Sequence, residues 1–420
     1  MDGQASDKAT DKTRDGEGRD KQPSTKYVQK REQILQRAAE QFNLLGVRGA
    51  TLDTVAQSVG LNLTSIRHYF LKKDDLVAEC YLRSIAIHTE RLKLSLDAGP
   101  PEARVRDMIR RYFDFRRRIR EGSAPEVIIF GDLRSLAGNH ADQVWPNYVE
   151  MFRLVRAIVA DKDEIEGERK RVNARAHMLV SQLMRSVFWL PNYEVDELGR
   201  VEERLTDILL NGLAAPGFDI RLRATPLDED MQAERISRDS FLRVATSLIN
   251  EQGYRGASVE RIAARLNVTK GSFYHHLDAK VDLVVECFNR NYEILRHAQR
   301  TALASEDRGL AQAAAAASSL IHRQQTEAGP LLRNSALMTV NPETRTKMLA
   351  QMDRIVGRFI DMVADGVIDG SARPCDARIA GQMLMAQINS AAELRNWVPD
   401  LTPDASLDLY ARLLFKGLLS

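Results

Sequence analysis

The sequence predicts an all-α protein built from two similar units. Apolar residues recur at the three-to-four spacing of an amphipathic helix, as Val28, Ile34, Leu35, Ala38 and Phe42 do near the start. Glycine and proline fall between such periodic segments, whereas the strict alternation that indicates a β-strand is missing from the sequence. The chain also matches itself at an offset of 207 residues.

The internal repeat holds without a gap over residues 31–80. In this register the sequence RGA at Arg48–Ala50 pairs with RGA at Arg255–Ala257, and Glu79–Cys80 pairs with Glu286–Cys287. Chance does not keep one register over so many positions, so the repeat indicates a duplicated unit.

Each copy contains three short predicted helices. The first ends at a glycine, and the second begins at a hydroxyl N-cap, Thr51 or Ser258. The second helix stops at Gly60 in copy one and at the equivalent Asn267 in copy two, the two residue types that most easily adopt a left-handed backbone. A third helix of about eight residues follows at once, which is the order of a helix-turn-helix motif.

The third helix carries the candidate recognition residues. Ile66 and Phe70 in copy one, like Phe273 and Leu277 in copy two, are four residues apart and anchor one stripe to the core. Polar residues on the remaining face suit the major groove of DNA, where bases present a readable pattern between phosphates. Gly271 lets the backbone approach the phosphodiester chain. The polar residues are Asn62, Thr64, Ser65, Arg67 and His68 in copy one, and Thr269, Lys270, Ser272, Tyr274 and His275 in copy two.

The chain therefore divides into two units, since 420 residues exceed one ordinary core. Each unit has an N-terminal three-helix helix-turn-helix domain and a C-terminal helical bundle. The predicted segments are a disordered tail (1–27), the first helix-turn-helix domain (28–78), the first bundle (79–212), a linker (213–233), the second helix-turn-helix domain (234–285) and the second bundle (286–420).

The composition limits which partners and which cellular compartment we expect. The net charge is only +2, so affinity for nucleic acid must come from local patches. Three scattered cysteines are too few for a disulfide framework and fit a reducing compartment. The first residues lack the apolar core of a signal peptide, and no run approaches the ~18 apolar residues of a membrane span. We expect a cytoplasmic protein without a membrane partner.

A family resemblance is carried by both motifs. Residues 253–284, GYRGASVERIAARLNVTKGSFYHHLDAKVDLV, are similar to the DNA-binding region of TetR-family transcriptional regulators, and residues 46–77 resemble a more divergent version. The resemblance in motif covers only the two helix-turn-helix segments. It implies two tandem TetR-like units that act as a ligand-responsive repressor on a double-stranded DNA operator in the bacterial cytosol or nucleoid.

The resemblance also implies individual contacts. In the family, the hydroxyl that opens helix two touches phosphate, which falls on Thr51 and Ser258. The lysine that opens helix four meets the DNA backbone, which falls on Lys73 and Lys280. The Ser/Thr–Lys–Gly–Ser/Thr run contacts phosphates and bases, and copy two keeps all of it at residues 269–272.

Copy one departs from the family pattern. Leu63 replaces the lysine, Thr64 the glycine, and Arg67 the phosphate-contacting tyrosine that copy two keeps as Tyr274. Arg67 can still pair with phosphate or guanine. Because the two third helices differ, we expect an asymmetric operator.

The bundles hold the candidate ligand residues. Copy one is rich in aromatic residues and copy two in methionine. The resemblance suggests an apolar pocket between the helices of each bundle, which would take one shared small apolar or acyl ligand, although each such residue is more commonly a core residue. The candidate pocket residues are Phe115, Trp145, Tyr148, Phe152 and Trp189 in copy one, and Met338, Met352 and Met383 in copy two.

The assembly can be formed within one chain or between two chains. Family members are homodimers that pair through their last two helices. Residues 173–212 and 376–418 are the equivalent candidates, and they would form a pseudo-dimer within one polypeptide. A further homodimer with four heads is the alternative arrangement.

Other classes are less well supported by the sequence. No metal site is expected at His275 and His276, because helix neighbours point apart and no cysteine or carboxylate lies at ligand spacing. Cys80 and Cys287 are expected to be small buried hydrophobic residues. No cofactor is expected, and phosphate-loop, nucleophile-elbow and zinc-protease motifs are absent from the sequence, so an enzyme is not expected. A helical architectural protein whose motifs no longer read DNA sequence remains the alternative.

Overall fold

The computed structural model is all-α, as the sequence predicted. The residues that it describes are 24–227, 238–271 and 280–420. Predictions for residues 1–23, 228–237 and 272–279 lie outside the described residues. Within the described ranges, extended pairing is limited to one isolated antiparallel bridge between Ala214 and Ala372. Among the same residues, the helices are either too short or too polar to cross a membrane.

The first half, residues 24–212, runs from a helix-turn-helix region into a bundle. The long helix α4 joins the two, since its first turns pack against α1 and its later turns against α5 and α6. The helices are α1 (Thr25–Gly49), α2 (Leu52–Ser58), α3 (Leu63–Ile66), α4 (Lys73–Leu96), α5 (Pro101–Arg120), α6 (Gly138–Val159), α7 (Lys162–Gly167), α8 (Arg169–Ser186) and α9 (Leu198–Asn211).

The second half, residues 238–420, is also built from helices in the ranges that the structure describes. A close approach between helices requires glycine here, because a Cβ added to Gly309 would lie 2.3 Å from the backbone nitrogen of Gly366. The helices are α10 (Arg238–Gly256), α11 (Val259–Arg265), α12 (Lys280–Ser305), α13 (Gly309–Arg323), α14 (Pro342–Asp369), α15 (Ala377–Ser390), a π-helical turn (Leu407–Ala411) and α16 (Arg412–Lys416).

The two halves meet along α8, α9 and α15. Side chains of α8 donate hydrogen bonds to backbone carbonyls of the second half. These polar side chains keep their partners only when the two halves pack in this arrangement. All of these residues belong to the ranges 173–212 and 376–418. The bonds join Asn173 Nδ2 to the Trp397 carbonyl (2.6 Å), Gln182 Nε2 to the Met383 carbonyl (2.9 Å) and Arg185 Nη2 to the Asn389 carbonyl (3.1 Å).

The third helix of copy one is shorter than predicted. The α-helical part is Leu63–Ile66, and tight turns continue the chain to Phe70. The Ile66 carbonyl accepts hydrogen bonds from the backbone nitrogens of both Tyr69 (2.9 Å) and Phe70 (3.0 Å). Sharing one acceptor in this way ends the regular α-helical ladder.

Helix α1 also begins earlier than the predicted end of the tail. It starts at Thr25, where Ser24 is the N-cap and its hydroxyl accepts a hydrogen bond from the Tyr27 nitrogen at 3.2 Å. The ring of Tyr27 then stacks on that of Tyr69, with centroids 4.8 Å apart. This tertiary contact and the cap explain why residues 25–27 are helical.

Candidate nucleic-acid interface

The second helix of each copy is held by the cap that the sequence predicted. Thr51 Oγ1 accepts from the Thr54 nitrogen at 3.1 Å, and Thr54 Oγ1 accepts from the Thr51 nitrogen at 2.9 Å. Ser258 Oγ accepts from the Arg261 nitrogen at 3.2 Å. Each cap orients a hydroxyl at a helix N-terminus, where the helix dipole favours an anion.

The third helix of copy one exposes most of its predicted polar face. Ile66 and Phe70 are buried, as predicted, whereas Thr64, Arg67 and His68 are exposed. Thr64 therefore projects from α3, and Arg67 and His68 project from the turn that follows it, which the buried Ile66 and Phe70 fix in place.

Two predicted contact residues of copy one also have structural roles. Asn62 is exposed and is the N-cap of α3, because its Oδ1 accepts from the nitrogen of the half-buried Ser65 at 2.8 Å. Lys73 Nζ donates to the Ala50 carbonyl at 3.1 Å and joins the start of α4 to the end of α1.

In copy two the predicted lysine lies beside a carboxylate. Thr269, Lys270 and Gly271 are exposed, and Lys270 Nζ lies 2.5 Å from Glu260 Oε1 of α11. The hydrogen bond from Lys270 lowers the pKa of Glu260 to about 2. The lysine is therefore already paired with an anion in the structure.

Most of the remaining predicted DNA-contact residues of copy two have no described position. Ser272, Tyr274 and His275 lie outside the described residues, as do His276 and its neighbours. Lys280 is the first residue of α12.

We call residues 25–83 the first head and residues 238–290 the second head. Both heads are stabilised by contacts at equivalent positions of the repeat. Gly46 and Gly253 both have positive φ, at 72° and 68°. The thiol of Cys80 donates to the Leu35 carbonyl at 3.7 Å, and that of Cys287 to the Leu242 carbonyl at 3.6 Å. The ion pairs Arg31–Glu79 and Arg83–Glu32 in the first head correspond to Arg238–Glu286 and Arg290–Asp239 in the second.

A further equivalent pair joins each head to its bundle. Asn43 on α1 and Asn250 on α10 each use their amide group to clamp a loop of the bundle, and we call these contacts the asparagine clamps. The bonds join Asn43 to the Val127 carbonyl (2.8 Å) and the Ile129 nitrogen (2.9 Å), and Asn250 to the Leu331 carbonyl (2.9 Å) and the Arg333 nitrogen (3.0 Å).

The predicted pocket residues of copy one do not form one site. Phe115 is buried in a small separate cluster, Trp189 packs near Tyr193, and Trp145 is half-buried against Tyr148. Only Tyr148 and Phe152 among the eight candidates line a described cavity, whose volume is about 100 Å³. A second cavity, within the first bundle, has a volume of about 30 Å³, which is near that of one water molecule.

The methionines of copy two are also separated. Met383 is buried where α15 meets α8. Its backbone carbonyl accepts a hydrogen bond from Gln182 of α8. Met338 is half-buried against Gly46 of the first head, and Met352 is half-buried on α14. The residue type alone could not show whether these methionines pack in the core or line a pocket.

The largest described cavity has a volume of about 360 Å³ and lies between the halves. Sequence reasoning missed its charged residues Arg185, Arg333 and Glu393. They are far apart in the chain, and the only local signal is that Arg185 follows the apolar run Leu183–Met184 on α8.

The caps, the buried anchors and the exposed polar face define a helix-turn-helix protein. A family model for bacterial regulatory proteins of the tetR family matches residues 241–287. The HTH-type transcriptional repressor KstR2 from Mycolicibacterium smegmatis is 31% identical over 149 residues, which cover 33% of this chain and 68% of that protein. The transposon Tn10 TetC protein from Escherichia coli is 31% identical over 67 residues, which cover 14% of this chain and 34% of that protein.

Solved structures are also similar to part of the chain. Apo AibR has a TM-score of 0.36 and 21% identity, over 43% of this chain and 99% of that chain. PfmR from Thermus thermophilus, a TetR family transcriptional regulator, has a TM-score of 0.35 and 22% identity, over 42% of this chain and 98% of that chain. From the match to KstR2 and the family model, the chain belongs to the tetR family of bacterial regulatory proteins.

Proposed function

We propose that this chain is a ligand-responsive transcriptional repressor that presents two unlike helix-turn-helix heads to one asymmetric DNA operator. The main support for two heads is the set of equivalent contacts, above all the two asparagine clamps on Asn43 and Asn250. The hydrogen bonds from α8 to the second half support a pseudo-dimer within one polypeptide.

The first head would read its half-site mainly through Arg67. The guanidinium is exposed beside His68 and can bind guanine or a phosphate through two parallel hydrogen bonds. Thr51, at the N-terminus of α2, and Lys73 would fix the head on flanking phosphates, which contribute affinity without reading sequence.

The second head would hold the DNA backbone through Lys270. In the free protein its ammonium group pairs with Glu260. Because phosphate and Glu260 compete for the same ammonium group, binding exchanges one anion for another. The other phosphate contacts of the two heads would make the affinity decrease steeply with salt.

Both heads must meet one face of the duplex. Half-sites would therefore be separated by about one helical turn or a multiple of it. A ligand that favours a different separation of the heads would shift the population away from the DNA-binding arrangement.

The proposal can be tested by selecting bound fragments from random DNA with wild type, Lys270→Ala and Arg67→Ala. We expect Lys270→Ala to weaken binding to all sequences, because it removes a phosphate contact. We expect Arg67→Ala to relax the preference at one half-site, with a loss of about 1–3 kcal/mol at that position. Arg171→Ala, on the bundle helix α8 and paired with Glu168, is the control and should bind like wild type.

Two outcomes would contradict parts of the proposal. If both variants affected both half-sites equally, the assignment of one head to each half-site would be wrong. If footprinting on the upstream region of its own gene gave uniform protection whatever the sequence, an architectural protein would be favoured. Light scattering of the free protein tests the pseudo-dimer, which requires a species of one chain.

A further inference from the structure

The cavity between the halves combines elements of both. Its wall includes Arg185 of α8 from the first half and Ser247 and Asn250 of α10 from the second head, together with residues 330–333 and 389–396. Its volume of about 360 Å³ falls within the range of small-molecule sites. A molecule bound here would therefore touch the contact between the halves and the first helix of the second head together.

Two arginines in the wall lie near the same carboxylate, that of Glu393. The side chains of Arg185 and Arg333 are 20% and 24% exposed. Glu393 Oε1 lies 3.9 Å from Arg185 Nη2 and 3.7 Å from Arg333 Nε, which is near the outer limit of an ion pair. Burial lowers the pKa of the Arg185 guanidinium, and its Nη2 also donates to the Asn389 carbonyl at 3.1 Å. Glu251, also in the wall, is paired with Arg265 at 3.1 Å.

An apolar chamber lies on the other side of the same charged residues. The cavity of about 100 Å³ shares Arg185, Arg333 and Glu393 with the larger one. Its remaining wall includes Phe152 and Met184, and the ring of Phe152 stacks on Trp397 of the second half. Arg185, Arg333 and Glu393 therefore lie between a polar cavity and an apolar cavity.

We propose that these two cavities form one site for a small organic carboxylate with an apolar tail. The carboxylate takes the place of Glu393 between Arg185 and Arg333, whose planar guanidinium groups match its two oxygens. The tail occupies the chamber beside Phe152. The proposal gives a chemical class and a place to the ligand of the regulator proposed above, and in that respect it rests on the proposed function.

The position of this site connects it to both asparagine clamps. Arg333 donates from its backbone nitrogen to Asn250 Oδ1 at 3.0 Å and from Nη1 to the Asn250 carbonyl at 3.3 Å. Ile129 lines the apolar chamber, and its nitrogen donates to Asn43 Oδ1 at 2.9 Å. A ligand that moves Arg333 and Ile129 therefore acts on α10 and α1, the first helices of the two heads.

Calorimetric titration of the full chain with sodium octanoate tests the site, with octanamide as the uncharged control. We expect octanoate to bind with one site per chain and octanamide to bind roughly tenfold more weakly. Arg185→Gln should weaken octanoate binding by roughly tenfold, because one of the two cations is lost. Glu393→Gln should strengthen it several-fold, since the competing carboxylate is gone, and a misfolded variant would not produce such a gain.

The matched control is Arg204→Gln. Arg204 also pairs across the halves, with Asp376, but it lines neither cavity. Its octanoate affinity should equal that of wild type. The site is overturned if octanoate does not bind, if octanamide binds equally well, or if neither Arg185→Gln nor Glu393→Gln changes the affinity. Operator binding by the same preparation is measured separately, so failure of the site and failure of the DNA-binding proposal are distinguishable.

Discussion

The two heads share their internal contacts and differ on their exposed surfaces. In the first head, Asp53 on α2 accepts a hydrogen bond from Gln57 of the same helix at 2.8 Å. At the equivalent position of the second head, Glu260 pairs with Lys270. The two heads can therefore keep the same internal packing while the charged residues on their exposed surfaces differ.

The largest effect should come from the shared core. Phe42 on α1 and Ile249 on α10 are equivalent and are 3% and 5% exposed. We expect Phe42→Ala to lower the free energy of unfolding by about 3–5 kcal/mol and Ile249→Ala by about 2–5 kcal/mol, because each leaves a cavity. Urea unfolding followed by circular dichroism measures both. A negligible effect of one variant would show that the heads are not packed alike.

Loss of an asparagine clamp should have a smaller effect. Asn43→Ala and Asn250→Ala each remove two hydrogen bonds and leave a loop carbonyl and nitrogen without their partner. We expect a decrease of about 1–3 kcal/mol in each case. Hydrogen exchange should show faster exchange at Ile129 for the first variant and at Arg333 for the second. Exchange that changes in both loops for either variant would contradict independent clamps.

A still smaller effect is expected from the acidic residue of each second helix. Glu260→Gln frees Lys270 for phosphate and should strengthen DNA binding about threefold, whereas Asp53→Asn should leave it nearly unchanged. Fluorescence anisotropy with labelled operator DNA compares them. Because the pKa of Glu260 is lowered to about 2, the carboxylate stays ionised between pH 5 and pH 7, and this competition should not vary in that range. Equal gains from both variants would remove the proposed difference between the heads.

The smallest effect concerns the thiols. Burial raises the pKa of Cys80, raises that of Cys287 to about 12 and raises that of Cys375 to about 11. At pH 8 all three should therefore be mainly protonated and should react slowly with a thiol reagent. Cys375 is half-buried and should react first, and the two head cysteines should react together on unfolding. Rapid labelling of Cys80 without Cys287 would indicate that only the first head opens.

Local signals were sufficient for much of the heads. A hydroxyl followed by a helical run predicted the caps at Thr51 and Ser258, and the four-residue spacing predicted that Ile66 and Phe70 would be buried. These features depend on backbone hydrogen bonds and side-chain periodicity within a few residues. They can therefore be predicted from short stretches of the sequence.

Contacts between distant segments could not be predicted in this way. Glu260 and Lys270 are on different helices, and their pairing depends on the angle of the turn between them. Arg185 joins Arg333 and Glu393 because the halves pack through α8 and α15. The aromatic and methionine candidates were scattered because composition does not determine which side of a bundle helix faces a cavity.

The hydrogen bonds between α8 and the second half have one more consequence, because both partners belong to one polypeptide. Two separate subunits come apart when they are diluted, whereas the connected halves remain at a fixed high effective concentration. A cell with very few copies of this protein would still keep one first half beside one second half. In the proposed pseudo-dimer, the two halves would therefore always be present in a one-to-one ratio, because they are covalently connected.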